Sequence, residues 1–142
     1  MAVKDFNSEK HARKLAEESK KYLPNDLTDA DKSYITKRVF EFSFIAGNHI
    51  IERFNDKFNN EQVETIAQFI GEWTFHKGID SIRANIPTEH RAEIIQQVAF
   101  AALQEAIKSF GEEQDRNKIA ARIELQVAKA YETSINTLFR YK

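Results

Sequence analysis

Residues 28–58, TDADKSYITKRVFEFSFIAGNHIIERFNDKF, decide the fold of this chain. Thr28 is suited to cap a helix, with Asp31 three residues later in a variant of the capping box, and helical periodicity continues to about Phe58. At 100° per residue, the apolar side chains occupy two adjacent sides of this helix instead of one stripe. One side comprises Ile35, Val39, Phe42, Ala46 and Ile50, and the other comprises Phe40, Phe44, Ile51, Phe54 and Phe58. So wide an apolar arc is typical of a helix that packs against several neighbours or against another chain.

Helical periodicity also covers most of the chain on either side of this stretch. We expect a thin amphipathic helix from Asn7 or Ser8 to about Tyr22, ended by Pro24. A third helix begins after Asn59-Asn60, and its apolar phase slips between Trp73 and Phe75. Because a basic turn followed by glycine often ends a helix, we predict a stop at His76-Lys77-Gly78. A short helix near 79–86 would follow, then long helices from about Glu89 to Phe110 and from about Glu113 to near the C-terminus.

These elements predict an all-α fold, because no sustained alternation of apolar and polar residues indicates a strand. The predicted architecture is a bundle of four long helices plus a peripheral N-terminal helix and the short helix near 79–86, in a single α-helical domain spanning residues 1–142. The order of elements, a short helix before two long C-terminal ones, also resembles the layout of a globin. That resemblance implies a globin-like arrangement without haem as the alternative, since residues 79–86 contain no histidine that could be the axial ligand.

Composition excludes several chemistries. The chain has no Cys, which excludes disulfides, thiolate nucleophiles and Cys-based metal sites, and only 4 Gly, none of them clustered into a phosphate-binding loop. The net charge of −1 and the mixed charges on each helix argue against nucleic-acid binding. No apolar run is long enough for a signal peptide or a membrane span, so we expect a cytoplasmic protein. No catalytic motif is present, so we expect neither an enzyme nor a cofactor.

The weak candidates for a metal site are two pairs on neighbouring helices, His49 with Glu52 and Glu72 with His76. Each pair lies within one helical turn, and helical bundles do build metal sites from facing helices. Di-iron bundles, however, use Glu-x-x-His, and neither pair has that spacing. We therefore predict no metal site, and a metal-dependent bundle protein is the least favoured of the alternatives.

Aromatic residues are the strongest anomaly, since 11 of the 142 residues are Phe. One interpretation of this excess is a core rich in aromatic residues. Exposed aromatic faces, by contrast, are typical of association surfaces, and bulky rings around a cavity are typical of apolar ligand sites. Phe40, Phe44, Ile51, Phe54 and Phe58 are accordingly the candidates for an interface or for an apolar ligand site. The leading prediction is a non-enzymatic interaction or regulatory module that forms a homodimer, with another protein partner left open. The first alternative is a haem-free, globin-like sensor domain that binds an apolar small molecule.

Overall fold

The computed structural model describes residues 6–113 and 115–140, with only the backbone described for residues 139 and 140. Within these residues the chain forms five α-helices: α1 (Ser8–Ser19), α2 (Asp29–Arg53), α3 (Asn60–Arg83), α4 (Thr88–Glu112) and α5 (Arg116–Arg140). A 3₁₀ turn, Lys20–Tyr22, extends α1. The predicted all-α bundle is confirmed, and the described residues contain no strand. The described residues do not include residues 1–5, which belong to the segment from which we expected no signal peptide. They also do not include Gln114, which lies near the expected start of the fifth helix.

Side-chain caps mark where the first three helices begin. Asn7 accepts a hydrogen bond from the Lys10 amide at 2.9 Å at the start of α1, and the Thr28 hydroxyl accepts one from the Asp31 amide at 3.1 Å at the start of α2. At the start of α3 the side chains of Asn59 and Gln62 cap each other's backbone amides in a complete capping box. Such caps provide hydrogen-bond acceptors for backbone amides that have no partner within the helix. Because the capping residues are close together in the sequence, they allow the start of a helix to be predicted from the sequence alone.

The prediction that α2 runs to about Phe58 is wrong, because the helix ends at Arg53. The chain turns after Phe54, and Phe58 instead lies buried, immediately before the Asn59 cap. Phe58 and Val63 join the same core cluster, flanking the capping box in the positions of a hydrophobic staple. Phe58 therefore belongs to the start of α3, whose entry angle it helps to fix.

The predicted helix end near Gly78, and with it the separate short helix near 79–86, is also wrong. α3 continues through Gly78 to Arg83 and ends where Asn85 adopts the left-handed conformation, with φ 59°. The Ile86 amide donates to the Ser81 carbonyl at 3.1 Å, as in a Schellman motif, and Pro87 follows. The globin-like alternative was inferred from an element order that needed the short helix, so the structure removes its basis.

The phase slip along α3 arises because this helix is central and buries two sides. It contacts all four other helices, and α2 contacts α1, α3 and α4. Val63, Ile66 and Ile70 of α3 join the main core with α2, α4 and α5, whereas Phe75 and Ile79 join a second cluster with α1 and the first half of α2. Among the described residues, no helix is long and apolar enough to cross a membrane.

Candidate functional site

The aromatic residues singled out from the sequence have different environments in the structure. Phe58 is buried in the main core, where Ile51 and Phe54 pack as half-buried residues. Phe40 is also half-buried and packs against the second cluster. Phe44 is half-buried and stacks on the Phe40 ring, with centroids 5.9 Å apart and planes 18° apart. The fold thus absorbs much of the predicted apolar ridge and leaves Phe44 at its outer edge.

One side of α2 is only partly covered by the other helices: three of its residues are exposed and three are half-buried. We define the α2 outer face as Lys37, Glu41, Phe44, Ile45, Asn48 and Glu52, which fall within an arc of about 100° at 100° per residue. Ile45 is 40% exposed, one of four large apolar residues that stand out in the described part of the chain. Ile45 is not among the candidates predicted from the sequence, although it adjoins Phe44 and the periodicity places it on the polar side of α2.

A shallow depression of about 530 Å³ adjoins the α2 outer face where α1 lies alongside α2. Its apolar surface comes from Ala16, Phe40, Phe44 and Ile45, and the Arg13 guanidinium lies 5.7 Å from the centre of the Phe40 ring. Its charged lining residues are Arg13, Glu17, Lys37, Arg38 and Glu41. An aromatic centre with a charged rim is the usual anatomy of a protein interface.

The charges on this side of α2 are only partly neutralised within the chain. Arg38 pairs with Glu41 at 3.4 Å, and its guanidinium also lies over the Tyr34 ring at 5.4 Å. Lys37 and Glu52 are exposed, and neither has an ion-pair partner among the described residues. A positive and a negative charge are therefore left unpaired toward opposite ends of the α2 outer face.

The metal candidates do not meet. His49 lies one turn before the end of α2, whereas His76 lies sixteen residues beyond the start of α3, which is about 24 Å along that helix. The His49 ring packs against Phe54, and the His76 ring packs edge-on against Trp73 and Phe75. The described residues contain no group of three or more His, Asp or Glu side chains that could hold a metal ion.

A second groove, of about 690 Å³, runs between α1 and α3. Leu15, Val39, Phe75 and Ile79 contribute apolar surface to it. Its polar lining includes Glu18, Gln68, Glu72, His76, Asp80 and Arg83. Its volume and mixed lining fall within the range of small-molecule sites, but its residues form no catalytic arrangement that we recognise.

Among the described residues, three titratable side chains have pKa values that are clearly shifted, and none of the three belongs to the α2 outer face. Burial lowers the pKa of His11 below 6.5, while the nearby Glu64 carboxylate partly opposes that shift. Burial raises the pKa of Tyr34 and of Tyr131 above 10.0. These shifts arise mainly from packing, and no paired acid and base emerges from them.

Comparisons with known proteins give no family for this chain. No family model matches it, and neither the curated proteins nor the solved structures provide a match.

Proposed function

We propose that this protein is a non-enzymatic α-helical interaction module that associates with a second copy of itself through the α2 outer face. The observation that carries the proposal is the apolar centre formed by Phe44 and Ile45, with unpaired charges of both signs beyond it. A surface that binds its own copy through a two-fold axis must be self-complementary, and a surface that carries charges of both signs is able to meet that condition. Aromatic residues at the centre of a contact are typical of interface hot spots.

The size of the surface indicates a reversible dimer. From Lys37 to Glu52 the face is about 22 Å long and one helix, about 10 Å, wide. The adjoining depression extends it toward α1, but the total is smaller than the roughly 800 Å² per partner of a standard stable interface. We therefore expect a dissociation constant on the order of micromolar, with dimers forming at high protein concentration.

The test compares two substitutions at equally exposed apolar residues. Ile45 is 40% exposed on α2, and Phe100 is 39% exposed on α4, away from the proposed interface. Ile45→Glu should raise the dimer dissociation constant at least about 30-fold, the effect of losing about 2 kcal/mol at a hot spot, whereas Phe100→Glu should leave it unchanged. Sedimentation or light scattering would give the mass, and circular dichroism would confirm that both variants are folded. A folded wild-type protein of monomer mass at high micromolar concentration would refute the proposal.

The groove between α1 and α3 favours a second candidate function, which is binding of an apolar small molecule. The apolar side chains of Leu15, Phe75 and Ile79 would contact such a ligand, and the polar lining would orient it. Organic extraction of the purified protein followed by mass spectrometry tests this candidate. Recovery of one apolar compound per chain would support it, and extracts that match a buffer control would contradict it.

A further inference from the structure

We infer that two copies of α2 pack antiparallel, about a two-fold axis that passes between Phe44 and Ile45. This inference rests on the proposed self-association and adds the orientation and register of the partner. It follows from the order of side chains on the α2 outer face, which is nearly palindromic in its chemistry. Lys37 lies seven residues before Phe44, and Glu52 lies seven residues after Ile45. Glu41 lies three residues before Phe44, and Asn48 lies three residues after Ile45.

An antiparallel two-fold axis at this point brings complementary groups together across the interface. Phe44 lies at the same level along the helix axes as Ile45 of the second copy, so the apolar centres coincide. Glu41 faces Asn48 of the second copy, where the Asn amide is able to donate a hydrogen bond to the carboxylate. Lys37 faces Glu52 of the second copy, so the two charges that have no ion-pair partner among the described residues of one chain are neutralised by the other. Symmetry repeats each contact twice.

The same residues disfavour a parallel arrangement of the two α2 helices. That arrangement would place Lys37 against Lys37 and Glu52 against Glu52 of the second copy, two contacts between like charges that no residue of the same chain neutralises among the described residues. Like charges placed opposite each other at an interface suppress association. The charge order along α2 therefore selects the antiparallel arrangement over the parallel one.

Charge reversal tests the pairing of Lys37 with Glu52. Within one chain these residues are fifteen positions apart, about 22 Å along the helix, which exceeds the screening length of about 10 Å at 0.1 M salt. If the effects of the two substitutions on the dimer dissociation constant are not additive, the interaction responsible must therefore act between the two chains. We expect Lys37→Glu and Glu52→Lys each to weaken the dimer about tenfold at low salt, because each creates two repulsive contacts. The double variant should return to within about twofold of wild type, since it inverts both pairs.

Disulfide trapping gives an independent measurement, and the absence of Cys from the chain makes single-Cys variants unambiguous. In the antiparallel register, Lys37→Cys mixed with Glu52→Cys should form a disulfide-linked heterodimer under mild oxidation. Neither variant alone should do so, because equivalent residues would be about 22 Å apart along the axis and a disulfide needs Cα atoms within about 7 Å. Circular dichroism would verify that these exposed substitutions leave the fold intact.

The outcomes separate the register from the self-association on which it rests. Rescue by the double charge variant together with mixed cross-linking supports the antiparallel register. A wild-type dimer that cross-links through equivalent residues, or that is indifferent to charge reversal, overturns the register and leaves self-association standing. A wild-type monomer at high micromolar concentration overturns both.

Discussion

Gly71 and Ser43 lie where α3 crosses α2, and we expect their substitutions to be strongly coupled. A Cβ atom added at Gly71 would lie 2.7 Å from the Ser43 hydroxyl oxygen, a distance shorter than van der Waals contact. Ser43 is 1% exposed, and its hydroxyl has no hydrogen-bond partner among the described residues, which is consistent with close packing of the two helices at this point. The next atoms, on Val39 and Leu15, would lie at 3.6 and 3.7 Å, which is ordinary contact.

The balance of two effects sets the expected magnitude. Replacing a glycine inside a helix by alanine stabilises the helix by about 1 kcal/mol, whereas overpacking a buried seam costs about 1–3 kcal/mol. Gly71→Ala alone should therefore leave the free energy of unfolding unchanged or lower it by up to about 2 kcal/mol. Ser43→Ala removes the clashing atom and an unpaired buried hydroxyl, so the double variant should be about 1 kcal/mol more stable than wild type. For a chain of this length that corresponds to a rise in Tm of about 4 °C.

Gly78 provides the matched control on the same helix. An added Cβ there would lie 3.5 Å from Ile35 and 3.8 Å from Ile95, so Gly78→Ala should stabilise without any second substitution. Urea and thermal unfolding of the four Ser43/Gly71 combinations measure the coupling free energy, which we expect to exceed about 1 kcal/mol. Stabilisation by Gly71→Ala alone that equals its effect in the Ser43→Ala background would refute the packing argument. A loss of stability in Gly78→Ala would refute the continuous helix through this position.

Three further predictions concern protonation, burial and metal. Because burial lowers the pKa of His11 in the folded state, the unfolded chain binds the proton more readily, so stability should fall as the pH decreases below about 6.5. His11→Gln should remove that part of the pH dependence in unfolding experiments, and an unchanged slope would contradict it. Tyr34→Phe should leave the free energy of unfolding unchanged or raise it by up to about 1 kcal/mol, because the buried hydroxyl has no hydrogen-bond partner among the described residues. A measurable decrease in the free energy of unfolding would be inconsistent with the structure. Elemental analysis after purification without affinity resin should find no stoichiometric transition metal; one iron or zinc per chain that disappears in His76→Ala would overturn this prediction.

Helix starts were predictable from sequence because their determinants are local. Asn7 and Thr28 cap α1 and α2 with hydrogen bonds that span three residues, and the stretch from Phe58 to Val63 combines a capping box with a hydrophobic staple. The same stretch also indicated that α2 had to end before Phe58. Apolar periodicity obscured this signal, since Phe54 and Phe58 continue the apolar side of α2 beyond its last helical residue.

The end of α3 was mispredicted because the glycine at position 78 reflects helix packing and is not a local signal that ends the helix. A glycine after a basic turn resembles a helix end, but Gly78 is buried between Ile35 and Ile95 in the middle of a continuous helix. The phase slip beside Gly78 arises because a central helix contributes to core clusters on two of its sides. The periodicity of a single helix does not show how many other helices it contacts. The local signal that did mark the end was Asn85 before Pro87, since Asn tolerates the left-handed conformation.

The candidate surface was predictable only in outline for the same reason. The sequence showed that α2 carries more apolar area than one neighbour could cover, and the structure shows contacts with α1, α3 and α4. Phe40 packs against the second cluster, which includes residues of α1, whereas Phe54 and Phe58 follow the last residue of α2 and pack in the main core. The sequence analysis had grouped all three with Phe44. Whether Phe40 or Phe44 is covered depends on where α1 lies, and the periodicity within α2 does not contain that information.

The composition of α1 explains why the α2 outer face stays open. Its buried residues are Ser8, Ala12 and Ala16, all small, so it packs closely against the other helices and extends little apolar surface over them. Close approach is required at Gly47 of α2, where an added Cβ would lie 2.8 Å from the Ser8 hydroxyl oxygen. α1 is held closely at the side of α2 that adjoins the α2 outer face, and its small side chains leave the shallow depression between the two helices open. A larger apolar stripe on α1 would have covered the face that we propose binds a second copy, so the thin N-terminal helix is what keeps that face available.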